Sequence, residues 1–208
     1  MSLTQSTELG TLYTVEELKA ITSHAHERGM KVHMDGARLS NAAAALGVPF
    51  RAFTRDAGID ILSMGGTKNG LMYGEAIVVL DPEAASGLKY LRKMNMQLGS
   101  KMRFISAQLI ALYEGDLWLR SASHANAMAQ RLRAAVEDVD GLEVTQPTES
   151  NAVFAKLPSA AADRVREDFR FYDWDEATGE VRWMCGFDTT EEDVDRFAAA
   201  IRAEVAAG

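Results

Sequence analysis

The stretches Lys31-Val-His-Met-Asp-Gly-Ala-Arg38 and Ile61-Leu-Ser-Met-Gly-Gly-Thr-Lys-Asn-Gly70 follow one plan twice. Each opens on a short strand-like run and ends in small and polar residues that break it. The first run delivers Asp35 and Arg38 to a loop, and the second delivers Lys68 to a loop rich in glycine. His33 lies two residues before Asp35, so on a strand both side chains point to one face. That histidine reads either as support for the carboxylate or as a satisfied core residue.

Outward from these runs the chain keeps a strand-helix-strand rhythm. Residues 3–6, 31–34, 59–64 and 76–80 read as short strands, with helical stretches at 14–28 and 48–56. The first helix is announced by Thr14 and Glu17, a capping box, and by the apolar spacing of Val15, Leu18, Ile21 and Ala25, until Gly29 stops it. Such alternation predicts an α/β fold with a mainly parallel sheet. Right-handed crossovers bring the loops that leave parallel strands to one edge, so Asp35, Arg38 and residues 67–69 are expected to border a ligand crevice there.

From Lys101 the texture changes to long helices, about 102–113 and 116–138, with Gly115 and Asp116 as a break and Gly141 as the end. Alternating segments at 142–146, 151–156, 171–174 and 181–185 predict three or four strands. Asp175 to Gly179 suits a hairpin turn, and Thr189 with Glu192 is read as the cap of a last helix running to about 205. The expected organisation is a sheet domain over 1–104 and a small α+β domain over 105–208.

Composition narrows the function. The chain has 208 residues, 47% hydrophobic and 25% charged, an ordinary globular balance. Its formal charge of -8 is the wrong sign for a phosphate backbone, so nucleic acid is not an expected partner. No apolar run approaches the roughly 20 residues of a membrane span, nor is there a secretion signal, and a cytoplasmic protein is the expectation. Cys185 is the one cysteine and lies in an apolar run, where it reads as a buried, inert thiol. His24, His26, His33 and His124 lack metal-ligand spacing, so no metal site is expected.

An acid and a glycine-flanked lysine at neighbouring strand ends suit an electron-sink site: the acid can hold a pyridine nitrogen protonated, and the glycines let a planar aldehyde approach. Taken singly, the lysine reads as a solvated turn residue and Asp-Gly as a turn signal. Gly-Gly-Thr-Lys lacks the spacing of a nucleotide-binding P-loop.

Taken together, His33-Met-Asp-Gly-Ala-Arg-Leu39 and Gly65-Gly-Thr-Lys-Asn-Gly70 resemble the aldolase branch of the β-eliminating lyase family, the threonine aldolases. Gln5-Ser-Thr-Glu-Leu-Gly-Thr11, Glu75-Ala-Ile-Val78, Leu91-Arg-Lys93, Ser100-Lys-Met-Arg-Phe104 and His124-Ala-Asn-Ala127 extend the resemblance over most of the chain. It implies the aminotransferase-like fold type I and pyridoxal 5'-phosphate as cofactor, with Lys68 bonding to the cofactor aldehyde and Asp35 pairing with the ring nitrogen. Arg38 and Arg182 would hold the amino-acid carboxylate, and Arg103 would reach the cofactor phosphate of a neighbouring subunit in a homo-oligomer. From the residues alone, Arg103 also reads as an exposed helix-start residue and Arg182 as one half of a cross-strand charge pair. Met94, Met96 and Met102 read as filling an irregular subunit interface or as lining an aldehyde pocket. Glu8 stands where some relatives carry a histidine near the reacting hydroxyl, so the base at that point is not assigned.

The implied reaction cleaves a threonine-like β-hydroxy-α-amino acid to glycine and an aldehyde. Relatives carry a further N-terminal portion with a phosphate-binding loop and a ring-stacking histidine. The expectation is therefore a partial large domain, an unpaired sheet edge, self-association and little turnover by this chain alone. A non-catalytic interaction module or split-gene half, and another β-eliminating lyase using the same cofactor, are the competing readings.

Overall fold

The computed structural model describes residues 1–207 and divides them into two compact units, one of residues 1–7 and 13–121, the other of residues 8–12 and 122–207. The change of texture near residue 104 corresponds to the start of a helix inside the first unit.

The first unit is built on a four-stranded sheet of β1 (Ser2–Thr4), β2 (His33–Gly36), β3 (Ile61–Gly65) and β4 (Glu75–Val79), in that spatial order. Strands β1, β2 and β3 pair in parallel, while β4 runs antiparallel to β3. The connections are helical: α1 (Val15–His26) between β1 and β2, then α2 (Leu39–Leu46) and α3 (Phe50–Phe53) between β2 and β3. Thr14 and Glu17 form the expected capping box, which satisfies leading N–H groups of α1. The helix over 39–46 was not expected, and it is Gly47, in the left-handed region, that ends it.

Alternation along these strands separates two faces. Met34 and Leu62 lie in the core, while His33, Asp35, Ile61 and Ser63 on the other face are half-buried. Two more helices, α4 (Leu88–Met94) and α5 (Met102–Tyr113), follow the sheet. α4 has no buried residue and α5 has one, Leu112, and Tyr90, Leu91, Met94, Phe104 and Ile110 on these helices are exposed.

Helix α6 (Leu117–Val136) runs from the first unit into the second. There an antiparallel sheet of β5 (Glu143–Val144), β6 (Ala152–Lys156), β7 (Tyr172–Asp175) and β8 (Glu180–Met184) has the order β5-β6-β8-β7. Val153, Ala155, Val181 and Trp183 pack with α6, α7 (Ser159–Asp168) and α8 (Glu191–Ala206) into one apolar core. The last helix is capped by Thr190 and Asp193, one residue later than the sequence suggests. Thr189 is engaged elsewhere, its hydroxyl accepting from the Gly186 N–H at 2.8 Å.

Cys185 is free and buried in this core, and burial pushes its thiol up to about 12. A rise of about three pH units lowers the reactive thiolate roughly a thousandfold at a given pH. The native chain at pH 8 is therefore expected to react with a disulfide reagent at least ~100-fold more slowly than the chain in urea. Rapid stoichiometric reaction of the folded chain would show that this core opens readily.

Candidate active site

Asp35 sits near the end of β2, where its backbone is fixed on both sides. Its carbonyl accepts from the Gln5 N–H at 2.9 Å, and its Oδ1 accepts from the Ala37 N–H at 2.9 Å. The carboxylate is thus held by the turn it begins. The register pairs Thr4 with Asp35 and Asp35 with Ser63, so three polar residues form a row across the sheet.

His33 lies one step back on the same face. Its Nδ1 is 2.8 Å from the Ser2 hydroxyl and its Nε2 is 2.9 Å from the Ser63 hydroxyl. Both ring nitrogens are engaged by groups that can donate or accept, so the imidazole is satisfied as a bridge across three strands. Of the two readings of this histidine, the contacts favour the satisfied one.

Arg38 is half-buried and immediately precedes α2, in the loop begun by Asp35. Lys68 is exposed on a 3-10 turn, Thr67–Asn69, that follows β3 and ends at Gly70. The two loops touch: a Cβ on Gly65 would lie 2.5 Å from the Ala37 carbonyl oxygen and 2.6 Å from the Ala37 Cα. No side chain fits there, which is why glycine stands at 65. A Cβ on Gly66 would meet the Leu71 side chain at 2.2 Å, so the second glycine also answers to close packing.

The lysine turn is anchored on several sides. The Tyr113 hydroxyl donates to the Gly65 carbonyl, and the Asn69 Nδ2 donates to the Trp118 carbonyl at 3.0 Å. Burial raises the Tyr113 pKa above its ordinary value, which keeps the phenol as a donor. Phe50 packs on Trp118 with ring centroids 4.3 Å apart and meets Tyr113 edge-on at 6.0 Å, giving the anchors a common aromatic support. The Glu75 carboxylate accepts from the Gly66 and Thr67 N–H groups. The sequence places Asn69 at the crevice within 67–69 and Glu75 in a family motif, but it gives neither their bracing contacts nor any part for Tyr113, because those contacts depend on pairing and packing over distance. The one signal was a carboxylate opening the strand after the lysine loop.

Arg103, on α5, is exposed, with its guanidinium 4.8 Å from the Phe104 ring centroid. In the second unit, Arg182 on β8 has Phe154 and Tyr172 as cross-strand partners, neither of them a carboxylate. Its guanidinium lies 4.5 Å from the Trp174 ring centroid. This position is a cation–π stack in place of the cross-strand charge pair that the sequence allows. Glu8 is exposed in the same unit.

Residues 1–158 match the sequence pattern of a family described as beta-eliminating lyase. The chain belongs to that family. Among its beta-eliminating lyase relatives is a low specificity L-threonine aldolase from a Pseudomonas species, 45% identical over 208 residues; the match takes in 100% of this chain and 60% of the relative. The low specificity L-threonine aldolase of Pseudomonas aeruginosa is 43% identical over 203 residues, covering 97% of this chain and 58% of that one. A solved threonine aldolase from Leishmania major matches with a TM-score of 0.88 and 28% identity, over 98% of this chain and 60% of the solved one. The chain thus spans about three-fifths of the length of these relatives. The expected α/β class, with a mostly parallel sheet and a separate antiparallel one, agrees with this likeness.

Proposed function

We propose that this chain carries part of the site of a pyridoxal-phosphate-dependent aldolase, cleaving threonine-like β-hydroxy-α-amino acids to glycine and an aldehyde. The observation that carries the reading is the contact of the two strand-end loops, Gly65 against Ala37, which sets the Asp35 and Lys68 loops side by side on neighbouring parallel strands. The donor set fits the cofactor: a lysine that can bond to an aldehyde, a carboxylate that can keep a pyridine nitrogen protonated, and an arginine in the same loop as that carboxylate. Bound there, the cofactor would supply an electron sink for charge developing at Cα.

The chain's own residues hold and orient. Asp35, kept in place by the Ala37 N–H, provides a fixed negative charge. Arg38 and Arg182 are proposed to bind the substrate carboxylate, since a guanidinium offers paired donors to its two oxygens. For Arg182, the Trp174 stack supports this by holding the guanidinium in one orientation. The free thiol of Cys185 suits a cytoplasmic setting, and among the described residues no helix is long and apolar enough to cross a membrane.

We also propose a homo-oligomer in which Arg103 meets the cofactor phosphate of a neighbouring copy. Supporting it, Met94, Met96 and Phe104, in the same stretch of sequence as Arg103, are 75%, 90% and 59% exposed, more apolar surface than water favours on one short segment.

The test adds pyridoxal phosphate to the chain, reduces with borohydride and maps the modified peptides. Preferential modification of Lys68 is expected. Modification spread evenly over the exposed lysines, Lys89, Lys93 and Lys101 among them, would overturn the assignment. Where turnover of threonine is seen, glycine as product favours the aldolase, whereas a keto acid with ammonia favours elimination.

A further inference from the structure

The 3-10 turn that bears Lys68 begins with N–H groups that lack partners within the turn, as helical starts do. Gly66, at its cap position, has no side chain to serve them. Glu75 does so from the neighbouring strand. It is the register partner of Gly65, its Oε2 accepts from the Gly66 N–H at 3.1 Å, and its Oε1 accepts from the Thr67 N–H at 3.3 Å. Thr67 adds a bond from its hydroxyl to the Gly74 carbonyl, at 3.4 Å, closing the loop between β3 and β4.

We propose that Glu75 is a positioning residue for Lys68: its carboxylate clamps the two amides that precede the lysine and so fixes the direction in which the side chain leaves the turn. This rests on the reading of Lys68 as the cofactor lysine, while the clamp itself is a property of the polypeptide. A carboxylate is suited to the task because two oxygens meet two donors and the charge strengthens both bonds. Glutamine presents one carbonyl oxygen and an amide that repels the second N–H. Glu75 is exposed, so water competes for the same groups and the effect is moderate.

Two measurements on the full chain test this. Amide hydrogen exchange, made without cofactor, compares the wild type with Glu75→Ala and Glu75→Gln. Exchange at Gly66 and Thr67 is expected to rise roughly tenfold in the alanine variant and less in the glutamine variant, with an unchanged far-ultraviolet spectrum. Borohydride trapping with pyridoxal phosphate then compares labelling of Lys68 with that of Lys93 and Lys101. The preference for Lys68 is expected to fall about tenfold in Glu75→Ala and to be partly restored in Glu75→Gln. Unchanged exchange at the two amides, or unchanged preference despite faster exchange, would overturn the proposal. If the wild type shows no preference for Lys68, the cofactor reading fails and exchange alone decides whether the clamp exists. Should the alanine variant lose its fold, the glutamine variant carries both measurements.

Discussion

Lys68→Ala is expected to remove the selective pyridoxal-phosphate adduct, leaving only scattered labelling that rises linearly with reagent concentration. Exposure does not decide which lysine reacts, since Lys19, Lys31, Lys89, Lys93 and Lys101 are exposed as Lys68 is. The difference lies in the surroundings. A reagent bonded at position 68 lies at the edge of a loop in contact with the Asp35 turn, where a fixed carboxylate can pair with the protonated ring nitrogen. None of the other lysines is placed by the fold beside two contacting strand-end loops. Loss of the lysine is therefore expected to lower site-specific labelling by at least ~10-fold at low reagent concentration. Asp35→Asn keeps the lysine and the size of the side chain but removes the charge. A charge-assisted hydrogen bond contributes about 1.5–3 kcal/mol, so the apparent affinity should weaken about ten- to a hundredfold. Peptide mapping as a function of reagent concentration reads both variants. Equal labelling of wild type and Asp35→Asn would mean that the acid takes no part in holding the ring.

The neighbouring placement of the Asp35 and Lys68 loops was legible because parallel strands send their exit loops to one edge, and the strands themselves were legible by alternation. Register was less so. The run at 31–34 was expected to be the strand, yet pairing with β1 and β3 starts at His33 and carries the ladder through Gly36. Helix 102–113 stands where the sequence puts it, whereas α2 gave little signal. Its Ser40 and Asn41 are buried beside Ala42 and Ala43, so no polar face marks it, and no side chain caps its start. The short α4 has no buried face at all, which leaves its apolar residues without a periodic pattern to read. Helix α7 likewise starts without a side-chain cap, at Pro158.

The supports of the lysine turn were hidden for a different reason. Tyr113 lies 48 residues from Gly65 and Asn69 lies 49 from the Trp118 carbonyl, separations at which local spacing carries no information. Glu75 is near in sequence, but its task depends on β4 turning back against β3. A parallel fourth strand would give Gly65 a different partner, so the sign of one strand pairing selects the residue that braces the turn.

The second large effect is expected in the other core. Trp183→Ala should destabilise the second unit by about 3–5 kcal/mol, the usual range for emptying a large aromatic site. Trp183 is 2% exposed and meets the Phe171 and Phe197 rings edge-on, at centroid separations of 6.1 and 5.4 Å. Its loss would leave both rings without a wall between the sheet and α8. For a chain of this length each kcal/mol shifts Tm by roughly 2–4 °C, so a fall of about 10 °C is expected in a thermal melt followed by circular dichroism. Trp183→Phe separates packing from polarity. The indole Nε1 is buried and has no hydrogen-bond partner among the described residues, a penalty of about 1–3 kcal/mol that phenylalanine removes. Phenylalanine also gives up part of the buried area, about 0.8 kcal/mol for each methylene-sized group lost. The two terms oppose one another at similar size, so Trp183→Phe should melt within a few degrees of wild type. A phenylalanine variant as unstable as the alanine variant would mean that the indole N–H finds an acceptor in solution and that shape alone does not hold this core.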